Sequence, residues 1–386
     1  MISRILTERV RSMAKKMPVI SITGPRQSGK TIFIKECFHD YDYVNLEHPP
    51  TLEKALHDPD HFLQNFKKGL IIDEAQHAPK LFSYIQVISD ESKKTGQYIL
   101  TGSQNFLLLE KITQSLAGRA AIYHLLPFSI QELHRTRFEK KKYENYILKG
   151  FYPRLYDKKI PEDEFYSSYI QTYLERDVRG ITAVHNMNDF QKLLKLCAGR
   201  TGQLINYAAL AVEIGVSEKT IKHWLSILET SFVLFFLQPY HRNFRKRIVK
   251  TPKLYFTDTG LASYLLGIKT EKQLHDHFAK GALFENMVIT DIMKNHLNKG
   301  LRPQLYFWRD NTGNEVDCLL ESGSELVPIE IKSGKTIHED FFKGLKYFQK
   351  LTKAKPKNSY LIYGGTESHS RSSAQVIGWN QTFKVK

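Results

Sequence analysis

Cysteine is nearly missing from this 386-residue chain: only Cys37, Cys197 and Cys318 occur, and they share no metal-binding or redox spacing. That excludes a disulfide scaffold and a zinc module, and reads as reduced thiols in a cytoplasmic protein. Long apolar runs are missing too. The longest, residues 232–237, is far too short to cross a bilayer. The stretch MISRILTERVRSMAKK reads as a charged amphipathic helix without the apolar centre of a signal peptide, so no membrane association is expected. Acid is scarce beside base: 40 Asp and Glu face 56 Lys and Arg, a formal net charge of +16. Such a surplus favours a polyanionic partner, with nucleic acid ahead of an anionic membrane, against the alternative of a merely soluble basic protein. No internal repeat or low-complexity tract is evident. What is present is ample core material, 41% hydrophobic and 12% aromatic, in a chain long enough for two or three domains.

The most informative stretch is MPVISITGPRQSGKT, residues 17–31. An apolar strand (Val19, Ile20, Ile22) leads into Gly24-Pro25-Arg26-Gln27-Ser28-Gly29-Lys30-Thr31, and a helix is expected over residues 32–38. This is the phosphate-binding pattern G-x-x-x-x-G-K-[ST] in its strand-to-helix setting. The glycines let the backbone curl so that successive N–H groups face phosphate oxygens, and the helix adds its amino-terminal partial charge. Lys30 reaches the β/γ-phosphates and the Thr31 hydroxyl takes a Mg²⁺ position, so ATP and Mg²⁺ are the expected cofactors.

A second strand is expected over residues 41–46, and a third, GLIIDEAQH, ends in Asp73-Glu74. Asp73 is suited to hold Mg²⁺ through its water shell, and Glu74 to orient and polarise the attacking water. A further strand, residues 97–100, ends in TGSQN, where Ser103 is the candidate for touching the γ-phosphate, because ligands collect at the carboxyl ends of parallel strands; the alternative is a capped turn. Arg119, in SLAGR, is either an arginine finger acting on a neighbouring subunit's ATP or one half of a surface salt bridge.

Residues 131–149 read as a basic helical segment broken by Gly150-Phe-Tyr-Pro153, and residues 166–178 as an amphipathic helix in which Arg176 could sense nucleotide from a lid. Residues 204–212, a turn at Gly215-Val216-Ser217 and residues 218–228 form a helix-turn-helix. Its Lys219, Thr220, Lys222 and His223 face either a DNA groove or another protein. A hairpin wing follows. Its stretch 241–250 holds Arg242, Arg245, Lys246, Arg247 and Lys250 with no acid, interleaved with aromatics (Tyr240, Phe244), which suits phosphate contact with base stacking or else a solvated tip. Beyond residue 256, Glu285 on a helix, Asp317 at the end of a strand, and Glu330-x-Lys332 on another strand fit a second, Mg²⁺-dependent phosphodiesterase site, or an ion-pair cluster under a sheet.

Taken in order, GPRQSGKT, LIIDEAQ, ILTGSQ, LAGRAAIYHLLPFS and YLERDV resemble the prokaryotic AAA-type ATPases with a carboxyl-terminal DUF4143 domain, the archaeal-cluster ATPases, over nearly the whole chain. The resemblance implies an ASCE-type parallel-sheet α/β core, DNA engagement and a homo-oligomeric ring, expected to be hexameric. It places Lys30 and Thr31 on phosphate and Mg²⁺, Asp73 and Glu74 as the acidic pair, Ser103 as sensor and Arg119 as finger. The order Glu285, Asp317, Glu330-x-Lys332 is similar to the PD-(D/E)xK nuclease fold. The expected division is a P-loop ATPase core (1–130), a helical lid (131–185), a winged helix-turn-helix (186–255) and a restriction-endonuclease-like α/β domain (256–386). Three functions fit: a DNA-dependent ATPase motor that translocates on or remodels duplex or branched DNA, which uses every feature above; an ATP-regulated, Mg²⁺-dependent DNA nuclease; or a nucleotide switch in signalling or defence.

Overall fold

In the computed structural model, which describes residues 2–66, 68–102, 112, 114–174, 187–240, 250–323 and 325–385, the amino-terminal third is built on a five-stranded sheet. Its strands are β1 (Val19–Thr23), β2 (Asp42–Asn45), β3 (Leu70–Asp73), β4 (Tyr98–Gly102) and β5 (Ala120–His124), all parallel, in the order β2-β3-β4-β1-β5. Every residue of β1, β3 and β4 is buried, as continuous apolar strands covered on both faces should be. Alternate residues feed opposite faces. Val19, Leu70, Ile72 and Leu100 pack with helix Leu81–Ser92, whereas Ile20, Ile22, Ile71 and Ile99 pack with helices Leu6–Ala14 and Lys30–Cys37. Because the strands are parallel, the loop after β1, the end of β3 and the end of β4 all meet at one edge, with β4 lying between β1 and β3.

The middle of the chain departs from the sequence reading in two places. Instead of one helical segment over residues 131–149 there are two, Ile130–Leu133 and Tyr143–Lys149. Arg135 takes a left-handed φ of 59° between them, and its N–H donates to Glu139 Oε2 at 2.8 Å, which closes a turn. The first helix of the helix-turn-helix runs Tyr207–Ile214 and not from residue 204. Asn206 caps it by accepting the Ala209 N–H, and Leu204 is bridged to Lys253 instead. Gly215 turns the chain with φ 86°, Ser217 caps helix Glu218–Thr230, and the hairpin of β6 (Leu234–Pro239) and β7 (Lys253–Phe256) follows.

Helix Lys280–Asn298, β8 (Leu305–Arg309), β9 (Glu315–Ser322), β10 (Glu325–Lys332), helix Lys343–Thr352 and β11 (Tyr360–Tyr363) come next, then β12 (His369–Ser370) and β13 (Gln375–Gly378). β8, β9 and β10 are antiparallel, and β10, β11 and β13 parallel. Asp317 is the third residue of β9 and so lies near its start, not at its end. The expected border at residue 256 runs through a sheet: β6 pairs with β8, giving one eight-stranded sheet, β12-β13-β11-β10-β9-β8-β6-β7. Leu234 and Leu237 of the hairpin share a core with Leu283, Phe284 and Phe307, and that cluster extends from Phe128 to Val385. Asp258 accepts the Phe151 N–H and the Tyr166 hydroxyl, both at 2.7 Å, and so ties helix Thr259–Leu265 to Phe151 and to helix Glu162–Tyr169.

Candidate functional site

Gly24 has φ +151°, and a Cβ there would lie 2.2 Å from the Leu125 carbonyl oxygen; Gly29, with φ +88°, begins helix Lys30–Cys37. Both positions therefore demand glycine, for different reasons: close backbone approach and a left-handed turn. The Lys30 ammonium is held in the loop, donating to the carbonyls of Gly24 (3.0 Å) and Pro25 (2.9 Å). Thr31 donates its hydroxyl to Asp73 Oδ2 at 2.8 Å, and the Glu74 N–H reaches Asp73 Oδ1 at 3.2 Å. Glu74 itself sits at φ 54°, ψ 44°. Left-handed backbone at a non-glycine residue costs on the order of 1–2 kcal/mol and is retained where the surroundings impose it. Gln76 Nε2 donates to Glu74 Oε2 at 2.6 Å, which fixes that carboxylate. Lys30, Thr31, Asp73 and Glu74 are thus brought together at the carboxyl edge of the sheet.

Two residues here were not visible in the sequence. Tyr43, on β2, donates its hydroxyl to Asp73 Oδ2 at 2.9 Å, and burial followed by the Asp73 charge pushes its pKa up. Arg4 is buried, ion-pairs with Glu132 Oε1 at 3.0 Å, and donates to the carbonyls of Ser28, in the loop, and Leu126. Burial lowers its pKa while Glu132 opposes the shift. Beside Ser28 and Gly29 opens a cavity of about 770 Å³ with Ile32, Phe128, Phe138 and Tyr156 among its walls and Arg137 and Arg154 at its rim. Flat aromatic walls next to a phosphate loop fit a nucleoside.

The loop residues fit a Mg-nucleotide on three observations: the glycine cradle, the oxygen donors Thr31 and Asp73 at one point, and unused polar groups. Gln27 Oε1, Ser28 Oγ and Thr101 Oγ1 are buried without a hydrogen-bond partner among the described residues. Ser103, just past β4, lies outside the described residues, as does Arg176. Arg119 lies at the start of β5, the opposite edge from its own loop, and grips Asp90 with two bonds of 2.6 and 2.7 Å.

In the carboxyl-terminal sheet, Glu330 stands one rung beyond the Ile329–Cys318 pair, opposite Asp317. Lys332 Nζ bridges Asp317 Oδ2 (3.1 Å) and Glu330 Oε1 (2.7 Å). Burial, then Asp317, raises the Glu330 pKa. Glu285 is taken by other groups: Lys253 Nζ lies 3.3 Å from its Oε1, Tyr255 donates to the same oxygen, and Lys253 also bonds Glu315. Among the described residues no group of three or more His, Cys, Asp or Glu is arranged to hold a metal ion. The second metal site therefore does not fit a cation as these side chains stand.

Of the candidate DNA-facing residues, Lys219, Lys222 and His223 are exposed, Lys222 pairs with Glu218 at 2.6 Å, and the half-buried Thr220 bonds Ser217. Arg242, Arg245, Lys246 and Arg247 lie outside the described residues. Among the described residues no helix is long and apolar enough to cross a membrane.

Comparison with known proteins finds family matches over three stretches, the first of which contains the loop. Residues 16–134 match the family described as AAA domain, residues 140–272 a domain of unknown function (DUF8612), and residues 280–382 the domain of unknown function DUF4143. An uncharacterised protein of Mycobacterium tuberculosis is 29% identical over 338 residues, covering 85% of this chain and 73% of the relative; one from Haemophilus influenzae is 23% identical over 347 residues, covering 80% and 81%. Among solved structures, a Walker-type ATPase of Pyrococcus abyssi aligns with TM-score 0.45 at 14% identity, covering 67% of this chain and 94% of that one. AMPPCP-bound DnaA of Aquifex aeolicus aligns with TM-score 0.30 at 14% identity, covering 58% and 86%. The chain carries an AAA-type P-loop ATPase domain joined to DUF4143.

Proposed function

We propose that this AAA-type, DUF4143-bearing chain is an ATP hydrolase that spends the reaction on moving along or remodelling DNA, duplex or branched, as a homo-oligomeric ring. The observation that carries the hydrolytic reading is the Asp73–Glu74 pair: Asp73 meets Thr31 under the loop, while Glu74 is held by Gln76 in a strained backbone beside it. Thr31 and, through water, Asp73 would hold Mg²⁺, which when bound neutralises phosphate charge. Lys30 would exchange two loop carbonyls for phosphate oxygens. The Glu74 carboxylate would orient the lytic water and accept its proton. Loop N–H groups and the amino-terminal end of helix Lys30–Cys37 would take the remaining phosphate charge.

DNA as the partner is supported by the net charge of +16, the exposed Lys219, Lys222 and His223, and the acid-free stretch 241–250. Assembly is supported by Arg119, which faces away from its own loop and would serve a neighbour's nucleotide only by leaving Asp90. The deciding experiment is ATPase turnover with single-stranded, duplex, forked and four-way-junction DNA at several salt concentrations. Stimulation in wild type, silence in Lys30→Ala, and ATP binding without turnover in Glu74→Gln support the motor. Hydrolysis indifferent to every nucleic acid would refute it and leave the nucleotide switch.

A further inference from the structure

The carboxyl-terminal domain sets four carboxylates close together: Glu285 on helix Lys280–Asn298, Glu315 and Asp317 on β9, and Glu330 on β10. An oxygen-rich group of this kind ordinarily calls for a divalent cation. Here each carboxylate already holds a cationic side chain of the same chain. Lys332 bridges Asp317 and Glu330. Lys253 bridges Glu285 and Glu315, and Arg309 Nη1 adds to Glu315 at 3.4 Å. We propose that the Lys253 and Lys332 ammonium groups stand in for a metal ion at this site, so that the DUF4143 domain is a lysine-closed counterpart of a nuclease centre that binds no catalytic cation and fastens the hairpin to the domain.

Lys253 is the part that makes displacement costly. Its side chain is 5% exposed, and its backbone is locked into β7, paired with Leu237 and bridged to Leu204. Its ammonium lies 5.5 Å from the Phe307 ring centroid. A cation entering between Glu285 and Asp317 would take Glu285 from that ammonium, leave it with Glu315 alone, and set a second positive charge beside it in the interior. Burial by itself would lower the Lys253 pKa; Glu285, Glu315 and Asp317 more than reverse it, so the group stays charged. Lys253 also stands three residues past the basic stretch 241–250. The same bonds therefore anchor the stem of the wing to the helix and sheet of the domain.

The test is Mn²⁺ binding followed by electron paramagnetic resonance on nucleotide-free, full-length protein, a condition that removes the phosphates on which the loop's own metal position depends. Wild type should show no Mn²⁺ binding that Asp317→Asn abolishes. Lys253→Met should gain one site, at least about ten-fold tighter, since each 1.4 kcal/mol is a factor of ten, and adding Asp317→Asn should remove it. Wild type that binds Mn²⁺ as tightly as Lys253→Met, and loses it with Asp317→Asn, overturns the proposal. So does a folded Lys253→Met or Lys253→Gln, the latter keeping a donor but no charge, that gains nothing. If neither variant folds, the comparison of wild type with Asp317→Asn decides alone. None of these outcomes depends on the ATPase reading.

Discussion

Replacing Arg4 by Met separates two jobs that one guanidinium performs. Its side chain is 6% exposed and its partner Glu132 is fully buried, so removing the cation strands a carboxylate in the interior. Breaking a buried pair from one side costs about 3–5 kcal/mol. Glu132 keeps two backbone donors, the Ser129 N–H at 2.9 Å and the Ile5 N–H at 3.2 Å, which brings the expected loss to about 2–4 kcal/mol. The second job is at the loop. The Ser28 carbonyl loses its donor, a long bond of 3.4 Å worth about 0.7–1 kcal/mol, so ATP affinity should fall about three- to five-fold. Urea unfolding measures the first quantity and titration with a fluorescent ATP analogue the second. Arg4→Met/Glu132→Gln should recover part of the stability, because no charge is then left buried alone, yet should bind ATP as weakly as Arg4→Met. If the single variant is destabilised while ATP affinity stays at the wild-type value, Arg4 does not hold the loop. If the double variant is as unstable as the two single losses added together, the ion-pair reasoning fails.

Tyr43→Phe removes one of three donors to Asp73 and should lower ATPase turnover about two- to ten-fold without unfolding the chain, read as kcat against Mg²⁺ concentration. Gly24→Ala drives a Cβ into the Leu125 carbonyl and should weaken ATP binding about ten- to hundred-fold, whereas Gly199→Ala, which meets nothing within 4 Å, should leave it unchanged in the same titration. Burial holds Lys294 down to about 8 despite Asp258, Asp291 and Glu132, with Arg4 adding to the depression. The unfolded chain, with its lysine near the usual value of about 10.4, then binds more protons above pH 8, so thermal stability should rise from about pH 8 towards pH 10 and flatten in Lys294→Met.

The meeting of Lys30, Thr31, Asp73 and Glu74 at one edge was legible because the pattern is local: a phosphate loop must present N–H groups, a lysine and a hydroxyl within eight residues, and Asp73-Glu74 must end a strand. Tyr43 and Arg4 had no such signature. Tyr43 meets Asp73 from 30 positions away, and Arg4 meets Ser28 and Leu126 from 24 and 122. Nothing in the spacing of either residue announces the pairing. Lys253 was hidden for the same reason, as an ordinary lysine in an apolar strand whose partners lie 32 and 62 positions later. The apolar run 232–237 foretold a strand of the hairpin β6–β7 but not its neighbour, since Leu234 and Leu237 require a core without specifying which one. The pairing of β6 with β8 therefore crosses the expected border at residue 256, and Asp258, the cap of helix Thr259–Leu265, also holds Phe151 and Tyr166.

The contact between the amino-terminal sheet and the carboxyl-terminal domain adds buried polar bonds to an apolar core in which Phe128 and Ile130 join Phe284 and Ile292, and those bonds bear on how a displacement could cross it. Just past β5, the Phe128 carbonyl accepts from Lys294 at 3.1 Å, and the Ile130 N–H donates to Asp291 at 2.6 Å. Asp291 also accepts from Asn295 and Thr382, while Asn298 reaches Ser129. An oily seam could slide by a fraction of a side chain at little cost. Buried directional bonds cannot, because each displaced donor or acceptor would be left unpaired at about 1–3 kcal/mol. At the other end of this seam, Glu132 holds Arg4, and Arg4 holds Ser28. A shift of the phosphate loop would thus be passed through rigid contacts to helix Lys280–Asn298, whose first turns carry Glu285 and, through Lys253, the stem of the basic hairpin. On this reasoning the bond between Ile130 and Asp291 transmits more than it stabilises: Asp291→Asn, which keeps an acceptor for that N–H, should preserve basal ATP hydrolysis while reducing its stimulation by DNA, and equal stimulation in both proteins would show that the two ends are not coupled through this seam.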